Sequence, residues 1–377
     1  MAENKAEKTS STRGSTVKLY PLANPKGTYI YCDVCGLPAW MRCKGCKIAA
    51  YCNREHQQLD WVGIHRYLCK SLIYLYNPPT RSIRKLQQQA LERSIFNTKL
   101  DLINMCLLHG HRHLFEGNYK LIIPPALQCL RLYKMLYKAE GVEWLPAYLL
   151  LAECLLGLGK TNEAANYLSL INWFETKNKV TGIKCNHMVK RTMAKLSMVR
   201  ENYLQALDEL AEDIYLASEK YGTLDIQTSG GYFNMANVYF FLGREEVTNS
   251  LYKKVIDIWC NHLQSLVNQK MKTSTPDIAL PIKEEEYEAL NEADSAEATM
   301  YFESIGGWWE STGEGQSYYS GKLAYCKSMH LFVLSKLREA YASAKKTAMF
   351  LKSIPDCEAL LVRAEDLVES CEKKVYF

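Results

Sequence analysis

Between positions 32 and 69, eight side chains of metal-binding type stand in pairs: Cys32, Cys35, Cys43, Cys46, Cys52, His56, His65 and Cys69. Zinc takes four nitrogen or sulfur donors near tetrahedral geometry, so eight donors make two closed sites. Each Cys-x2-Cys pair brings two sulfurs to one ion through a tight turn, and Gly36 and Gly45 are the expected source of its flexibility. The later pairs, Cys52 with His56 and His65 with Cys69, have the i, i+4 spacing of one face of a short helix. No coordination position is left open, which gives both zincs a structural role. A segment this short cannot build an adequate core, so metal binding supplies its folding free energy.

The other cysteines exclude a disulfide scaffold, which would be short, secreted and dense throughout. Of 14 cysteines in 377 residues, eight are scattered: Cys106, Cys129, Cys154, Cys185, Cys260, Cys326, Cys357 and Cys371. Most have apolar neighbours, the setting of small core residues rather than reactive thiols. No run approaches the roughly 20 apolar residues that cross a bilayer; the longest, Leu145 to Leu158, is interrupted by Pro146 and Glu153. The stretch from Met1 to Thr16 is polar and of mixed charge, unlike a secretory signal, so the sequence predicts an intracellular protein.

The cysteine-rich segment resembles a MYND zinc finger. The resemblance is carried by Cys32-Asp-Val-Cys35, Cys43-Lys-Gly-Cys46, Tyr51-Cys52-Asn-Arg-Glu-His56-Gln57, Asp60-Trp61 and His65-x3-Cys69. His56 stands where the family usually has cysteine; histidine is an ordinary zinc donor, so affinity and pH dependence should change while the site persists. The resemblance implies interleaved pairing, with Cys32, Cys35, Cys52 and His56 on one zinc and Cys43, Cys46, His65 and Cys69 on the other. It also implies protein interaction, because several such fingers bind extended proline-containing peptides along a strand edge. Gln57 and Trp61 match the residues used there, and Lys44 replaces a small polar residue of peptide-binding members. Trp61 is either an exposed anchor of the kind that supports a hot spot or a lid packed on Tyr51.

Charge is unevenly spread. The chain carries 46 Lys and Arg against 41 Asp and Glu, a net +5, but residues 1–100 hold 16 against 6. A basic head can mean an anionic partner such as nucleic acid or a tubulin surface, whereas zinc-bound thiolates would offset part of the charge. No long basic helix is present to enter a DNA groove, so direct nucleic-acid binding is not expected.

Beyond residue 70 the pattern is helical and repeats every 42 residues. Gly110, Ala152, Ala194 and Ala236 head successive units; Gly117, Glu201 and their equivalents Gly159 and Gly243 follow seven later; Ala126, Leu168, Leu210 and Tyr252 lie on a second helix. Such units are helix pairs that bury their faces by stacking into a solenoid. Glycine suits the left-handed turn that ends the first helix. These segments resemble lengthened tetratricopeptide repeats, most clearly Leu151-Ala152-x2-Leu155-x3-Gly159-x4-Ala164 and Met235-Ala236-x2-Tyr239-x3-Gly243. Pro124 and Pro125 are expected in the first turn of a second helix. A further unit resumes over Ser328 to Leu351, with its turn at Ser335, 92 residues after Gly243.

The excess length falls in an insertion near 267–316, containing Glu284-Glu285-Glu286 and Gly306-Gly-Trp308-Trp309; a solvated acidic linker is the default, with the tryptophans able to fold back. Solenoids bind peptides or helices in a concave groove. Counting from the small residues places Arg191, Lys195, Phe233, Asn237 and Phe240 there, a basic and aromatic groove for an acidic or helical partner.

Catalytic readings fail on their own demands. A lysine methyltransferase of the SET and MYND type needs a Gly-x-Gly loop ahead of the finger, where only Gly14 and Gly27 occur. Its Asn-His-x-Cys segment is imitated only by Asn186-His187-Met188-Val189. No phosphate loop and no His-Glu-x-x-His motif is present. His109, His111 and His113 point about 200° apart in succession on a helix, so a solvated helix end is expected rather than a metal site.

The sequence therefore predicts a mainly α protein: a small two-zinc finger followed by a tetratricopeptide-type solenoid. The plan is a disordered basic and polar tail over 1–27, the finger over 28–72, repeats over 73–266, an acidic insertion or loop with room for a helix over 267–316, and a last repeat with a capping helix over 317–377. No enzyme activity, small-molecule substrate or membrane attachment is expected. A MYND finger ahead of such repeats resembles cilium and sperm-flagellum components. That implies an axonemal scaffold whose partners are repeat proteins and dynein-associated proteins. The alternative is a nuclear co-repressor adaptor recruiting proline-rich partners.

Overall fold

The computed structural model describes residues 15–19, 29–78, 85–137, 141–179, 187–272 and 290–376. Two compact units, residues 1–174 and 175–377, divide the chain. The first holds the finger and the first helix pairs; the second holds the remaining pairs.

In the finger, strands β1 (Thr16–Lys18), β2 (Met41–Cys43) and β3 (Ala50–Tyr51) form an antiparallel sheet in that order. Thr16 pairs with Cys43 and Lys18 with Met41. Part of the segment expected as a disordered tail is therefore a strand. Backbone groups flanking β2 are satisfied from the same segment: Leu19 N–H donates to the Trp40 carbonyl and Lys44 N–H to the Ser15 carbonyl, both at 2.9 Å. The rest of that predicted tail lies outside the described residues. Helix α1 (Arg54–Asp60) runs into a π-helical turn (Trp61–His65) and then α2 (Arg66–Tyr76).

Helix pairs follow at the predicted period. They are α3 (Lys85–Phe115) with α4 (Tyr119–Leu136), α5 (Leu145–Gly157) with α6 (Thr161–Lys179), α7 (His187–Val199) with α8 (Tyr203–Tyr221), and α9 (Ile226–Phe241) with α10 (Glu245–Lys272). After α11 (Glu292–Thr312) come α12 (Tyr318–Val333) with α13 (Leu337–Leu351), and then α14 (Glu358–Tyr376).

Each of these five pairs turns the same way. Gly117, Gly159, Glu201, Gly243 and Ser335 all have φ between 61° and 74°. In each turn the next residue's N–H reaches back to the first helix: Asn118 to His113, Lys160 to Leu155, Asn202 to Ser197, Arg244 to Tyr239 and Lys336 to Leu331. This is the Schellman closure, which satisfies carbonyls a helix end otherwise leaves bare. Gly110, Ala152, Ala194, Ala236 and Ser328 are all buried on the first helix of their pair. A Cβ on Gly110 would stand 2.4 Å from the Leu150 side chain.

Two expectations about the helices need correction. Pro124 and Pro125 lie inside α4 rather than in its first turn, because the helix already starts at Tyr119. They remove the N–H groups that would bond Lys120 and Leu121, and both prolines are buried. The insertion is not a solvated loop where it is described. Helix α10 continues to Lys272, and α11 contains the whole Gly306-Gly-Trp308-Trp309 cluster. Glu284, Glu285 and Glu286 lie outside the described residues. Tyr301, Phe302, Ile305 and Trp309 are buried in the second unit's core with Trp259, Phe332 and Leu367.

Candidate metal centre

The four donors of each quartet converge from separate elements. Cys32 and Cys35 lie on a knuckle whose backbone closes through Gly36, N–H to the Cys32 carbonyl, at φ 71°. Cys43 and Cys46 lie on the second knuckle, closed by Lys47 N–H to the Cys43 carbonyl at φ 58°. The left-handed residue is thus Lys47 and not Gly45. Gly45 is required for space instead: a Cβ there would lie 3.0 Å from the Cys69 sulfur. Cys52 precedes α1, so it does not share a helix face with His56. Asn53 caps the helix, its side chain accepting from His56 N–H at 2.8 Å, and the first turn aims His56 back at Cys52.

Donor atoms of Cys32, Cys35, Cys52 and His56 all lie within 4.8 Å of one another, as do those of Cys43, Cys46, His65 and Cys69. His56 presents Nδ1, 3.1 Å from Cys52 Sγ and 3.6 Å from Cys32 Sγ. His65 presents Nε2, 3.5 Å from Cys46 Sγ. Its Nδ1 turns the other way, 3.6 Å from buried Asp60, whose carboxylate also accepts from Tyr51 Oη at 2.6 Å. A carboxylate behind a histidine fixes its tautomer and raises its basicity as a ligand. Asp60 is the functional residue that ligand spacing could not reveal, although it lies in the motif.

Crowding perturbs the thiols of Cys35, Cys43, Cys46, Cys52 and Cys69 in a way a dication would relieve. The Cys46 hydrogen bond draws Cys43 down to about 3, and the same contact, with burial, pushes Cys46 above the thiol range. Burial, followed by the Cys35 and Cys32 contacts, pushes Cys52 up to about 12. Burial disfavours the charged form of Cys35, but bonds to the Leu37 backbone and to Cys52 outweigh it and draw it down. Burial likewise opposes a charged His65; Cys43 and Asp60 reverse that and raise it. Neighbouring thiols that must share protons are a donor set built for a cation. The residues present therefore fit two zinc ions, each with three sulfurs and one imidazole nitrogen, and both shells are full.

Residues 32–69 match the family model described as the MYND finger. The segment is a MYND finger. The chain is 42% identical over 52 residues to Tudor domain-containing protein 1 of Oryzias latipes, covering 14% of this chain and 4% of that protein. It is 41% identical over 63 residues to Programmed cell death protein 2 of Rattus norvegicus, covering 17% of this chain and 18% of the relative. The chain thus spans less than a fifth of the length of either relative.

The finger is seated on the first helix pair. Arg131 of α4 donates to the Asp33 carbonyl at 2.9 Å, and Asp33 in turn accepts from Ala50 N–H at 3.1 Å. Gly63, in the π-helical turn, approaches α4 so closely that a Cβ would stand 2.9 Å from the Leu121 carbonyl. That is the carbonyl Pro125 leaves without its helical donor. His109 and His113 are not at a solvated helix end. His109 stacks on Tyr67 at 4.2 Å, and both histidines are buried beneath the finger.

Gln57 is buried at 5% exposure, so it is not offered to a peptide as the resemblance implied. Trp61 is half-buried with its ring 5.9 Å from His65, so it packs over the second site. Lys44 is exposed.

The five groove residues do not form an open surface. Arg191 is buried, its guanidinium donating to Asp213 at 2.8 Å and to the Gln227 carbonyl at 2.7 Å. Phe233 is buried with its ring 4.3 Å from Tyr301 of α11. Asn237 accepts from Tyr252 Oη at 2.7 Å, Lys195 is half-buried, and Phe240 alone is exposed. The insertion supplies its own helix to cover the faces that simple repeats leave free. That contact is tertiary and leaves no periodic signal.

Proposed function

We propose that this chain is a non-catalytic protein-interaction adaptor, associated with the axoneme of cilia or the sperm flagellum and linked to dynein-related complexes. The carrying observation is that each metal quartet brings together the four donors a closed zinc shell needs while the finger is braced on a helical-repeat scaffold through Arg131 and Gly63. A closed zinc has no position for water or substrate, so the metal holds the fold and the surrounding surface does the work. MYND fingers and helical repeats both serve as protein-binding modules. No helix of the described residues is long and apolar enough to cross a membrane. The order of parts resembles zinc finger MYND domain-containing protein 12, and the ciliary setting and dynein-associated and repeat-protein partners follow from that resemblance.

The test is fractionation of flagellated cells, first with detergent and then with graded salt. Retention through detergent and release only at high salt support an axonemal adaptor held by electrostatic contacts. Complete recovery in the detergent-soluble fraction sinks the reading, and recovery in the nuclear fraction replaces it with the co-repressor adaptor.

A further inference from the structure

Two hollows in the second unit, of about 190 and about 210 Å³, share Ala324, Lys327 and Phe350 and so form one continuous groove. Its walls are α11, α12 and α13. Leu323, Trp309 and Phe350 make an apolar floor, with Gly306 opening the wall on the α11 side. The Lys327 ammonium lies over that glycine, 3.6 Å from where a Cβ would stand, and Lys346 faces the groove from α13.

Charge decides what such a groove suits. Helix α12 carries Lys322 and Lys327 and no carboxylate; α13 carries Arg338, Lys345 and Lys346 against Glu339. Lys322 is neutralised by Asp257 at 2.7 Å. Lys327 and Lys346 are both exposed, and neither is paired with a carboxylate among the described residues. Met349, 61% exposed one turn beyond Lys346, extends the apolar surface along the same helix. Glu310 lines the far end on α11.

We infer that this groove is a docking site for an acidic segment of a partner protein, with an apolar side chain anchored between Leu323 and Phe350 and carboxylates set against Lys327 and Lys346. The anchor supplies affinity by burying apolar surface, and the lysines set orientation and attraction. Glu310 fixes polarity by favouring a basic residue at that end. The inference deepens the adaptor reading and rests on it.

The experiment uses the full chain and fluorescence anisotropy. Probes are labelled short peptides with a central Leu or Phe flanked by Asp and Glu, with Ala-anchored and Lys-flanked versions as controls. The expected result is saturable, salt-sensitive binding of the acidic, anchored peptides. It should weaken about tenfold or more in the Lys327→Glu, Lys346→Glu double variant, a change of about 1.4 kcal/mol or more. Both positions are exposed, so circular dichroism should be unchanged. Binding weaker than about 1 mM for every peptide, or no effect of the double variant, overturns the groove. Loss of binding in Trp61→Ala with the lysine variant unaffected assigns it to the finger, and the adaptor reading survives. Displacement by duplex DNA or phosphatidylserine vesicles, lost in the same double variant, overturns the proposal in favour of a general polyanion surface.

Discussion

The Arg131 guanidinium donates at 2.9 Å to the backbone carbonyl of Asp33, the residue that follows the first zinc-ligand cysteine. A repeat helix thereby holds the turn that shapes a metal site. Asp33 also accepts from Ala50 N–H, so one residue links the first knuckle, strand β3 and α4. Finger and first helix pair are parts of one compact unit, joined by a polar contact here and by close backbone packing at Gly63.

Gly63→Ala tests that seating directly. Its Cβ would meet the Leu121 carbonyl at 2.9 Å and the Pro124 ring at 3.4 Å, with little room for either helix to yield. Overpacking of this kind costs about 1–3 kcal/mol. Denaturant unfolding followed by hydrogen exchange should show lost protection in both α4 and the finger. Arg131→Ala should cost about 1 kcal/mol, since its pair is half-exposed. Unchanged exchange in α4 on Gly63→Ala would separate the two parts.

Asp60→Asn should lower the affinity of the second site for zinc about 10–100-fold without removing a ligand. The carboxylate holds His65 Nδ1 and accepts from Tyr51, and both partners are buried. Competition with a chromophoric chelator should release two zinc ions per chain in separate steps, the weakened one from the quartet containing His65. Full chelation should abolish exchange protection over the finger, because metal binding is its folding free energy. Equal affinity in variant and parent would remove Asp60 from the site's support.

What the sequence made legible was what local spacing encodes. The eight ligands were readable because knuckle and helix geometry fix donor spacing within a few residues. The 42-residue register was readable because each turn needs the same left-handed residue, a requirement met even by Glu201 and Ser335. Gly45 was misread, since its need for space comes from Cys69, 24 positions away. Arg191 and Phe233 were misread for a similar reason. Helix α11 covers them, and nothing in their own repeats records its arrival. The paired prolines belong to the same class: their buried place in α4 depends on the finger.

Glu201 occupies a left-handed turn at φ 61°, where its four counterparts include three glycines. A side chain there costs about 1 kcal/mol relative to glycine. The unfolded chain of a glycine variant gains entropy, which offsets part of the relief. Glu201→Gly should therefore stabilise the second unit by about 0.5 kcal/mol, and Gly243→Ala should destabilise it by about 1 kcal/mol. A thermal shift of the same sign for both substitutions would contradict the conformational account.

Asp213 is fully buried and accepts from Arg191 and from His187 Nδ1, at 2.8 and 3.1 Å. Removing one member of a buried pair leaves the other charge uncompensated, at about 3–5 kcal/mol. Asp213→Ala should thus be among the most damaging single changes in the second unit. Replacing both partners with apolar residues, Arg191→Met with Asp213→Leu, should recover most of the loss. Equilibrium denaturation of the two singles and the double closes the cycle, and additive losses would mean the pair is not the coupled element.

Two groups bonded within the second unit titrate in opposite directions. Burial, with Lys336 adding to it, lowers His330 to about 4, and its Nε2 pairs with Ser295 of α11 at 2.9 Å. Burial raises Glu297 to about 7 against the opposing pull of Tyr301, Arg191 and Lys195, with Asp294 adding to the rise. A lowered histidine contributes stability that is present above pH about 6.5 and lost as pH falls through about 4. A raised glutamate contributes stability that is present below pH about 4.5 and lost as pH rises through about 7. Each shift corresponds to at most about 3 kcal/mol, and over the shared window the two largely cancel. Glu297→Gln removes one arm and should expose a steep loss of stability on acidification from pH about 6.5 to about 4. His330→Gln should instead leave a loss on alkalinisation towards pH about 7. Denaturation midpoints across that range decide it: parallel pH profiles for parent and both variants would mean neither group titrates in the folded core.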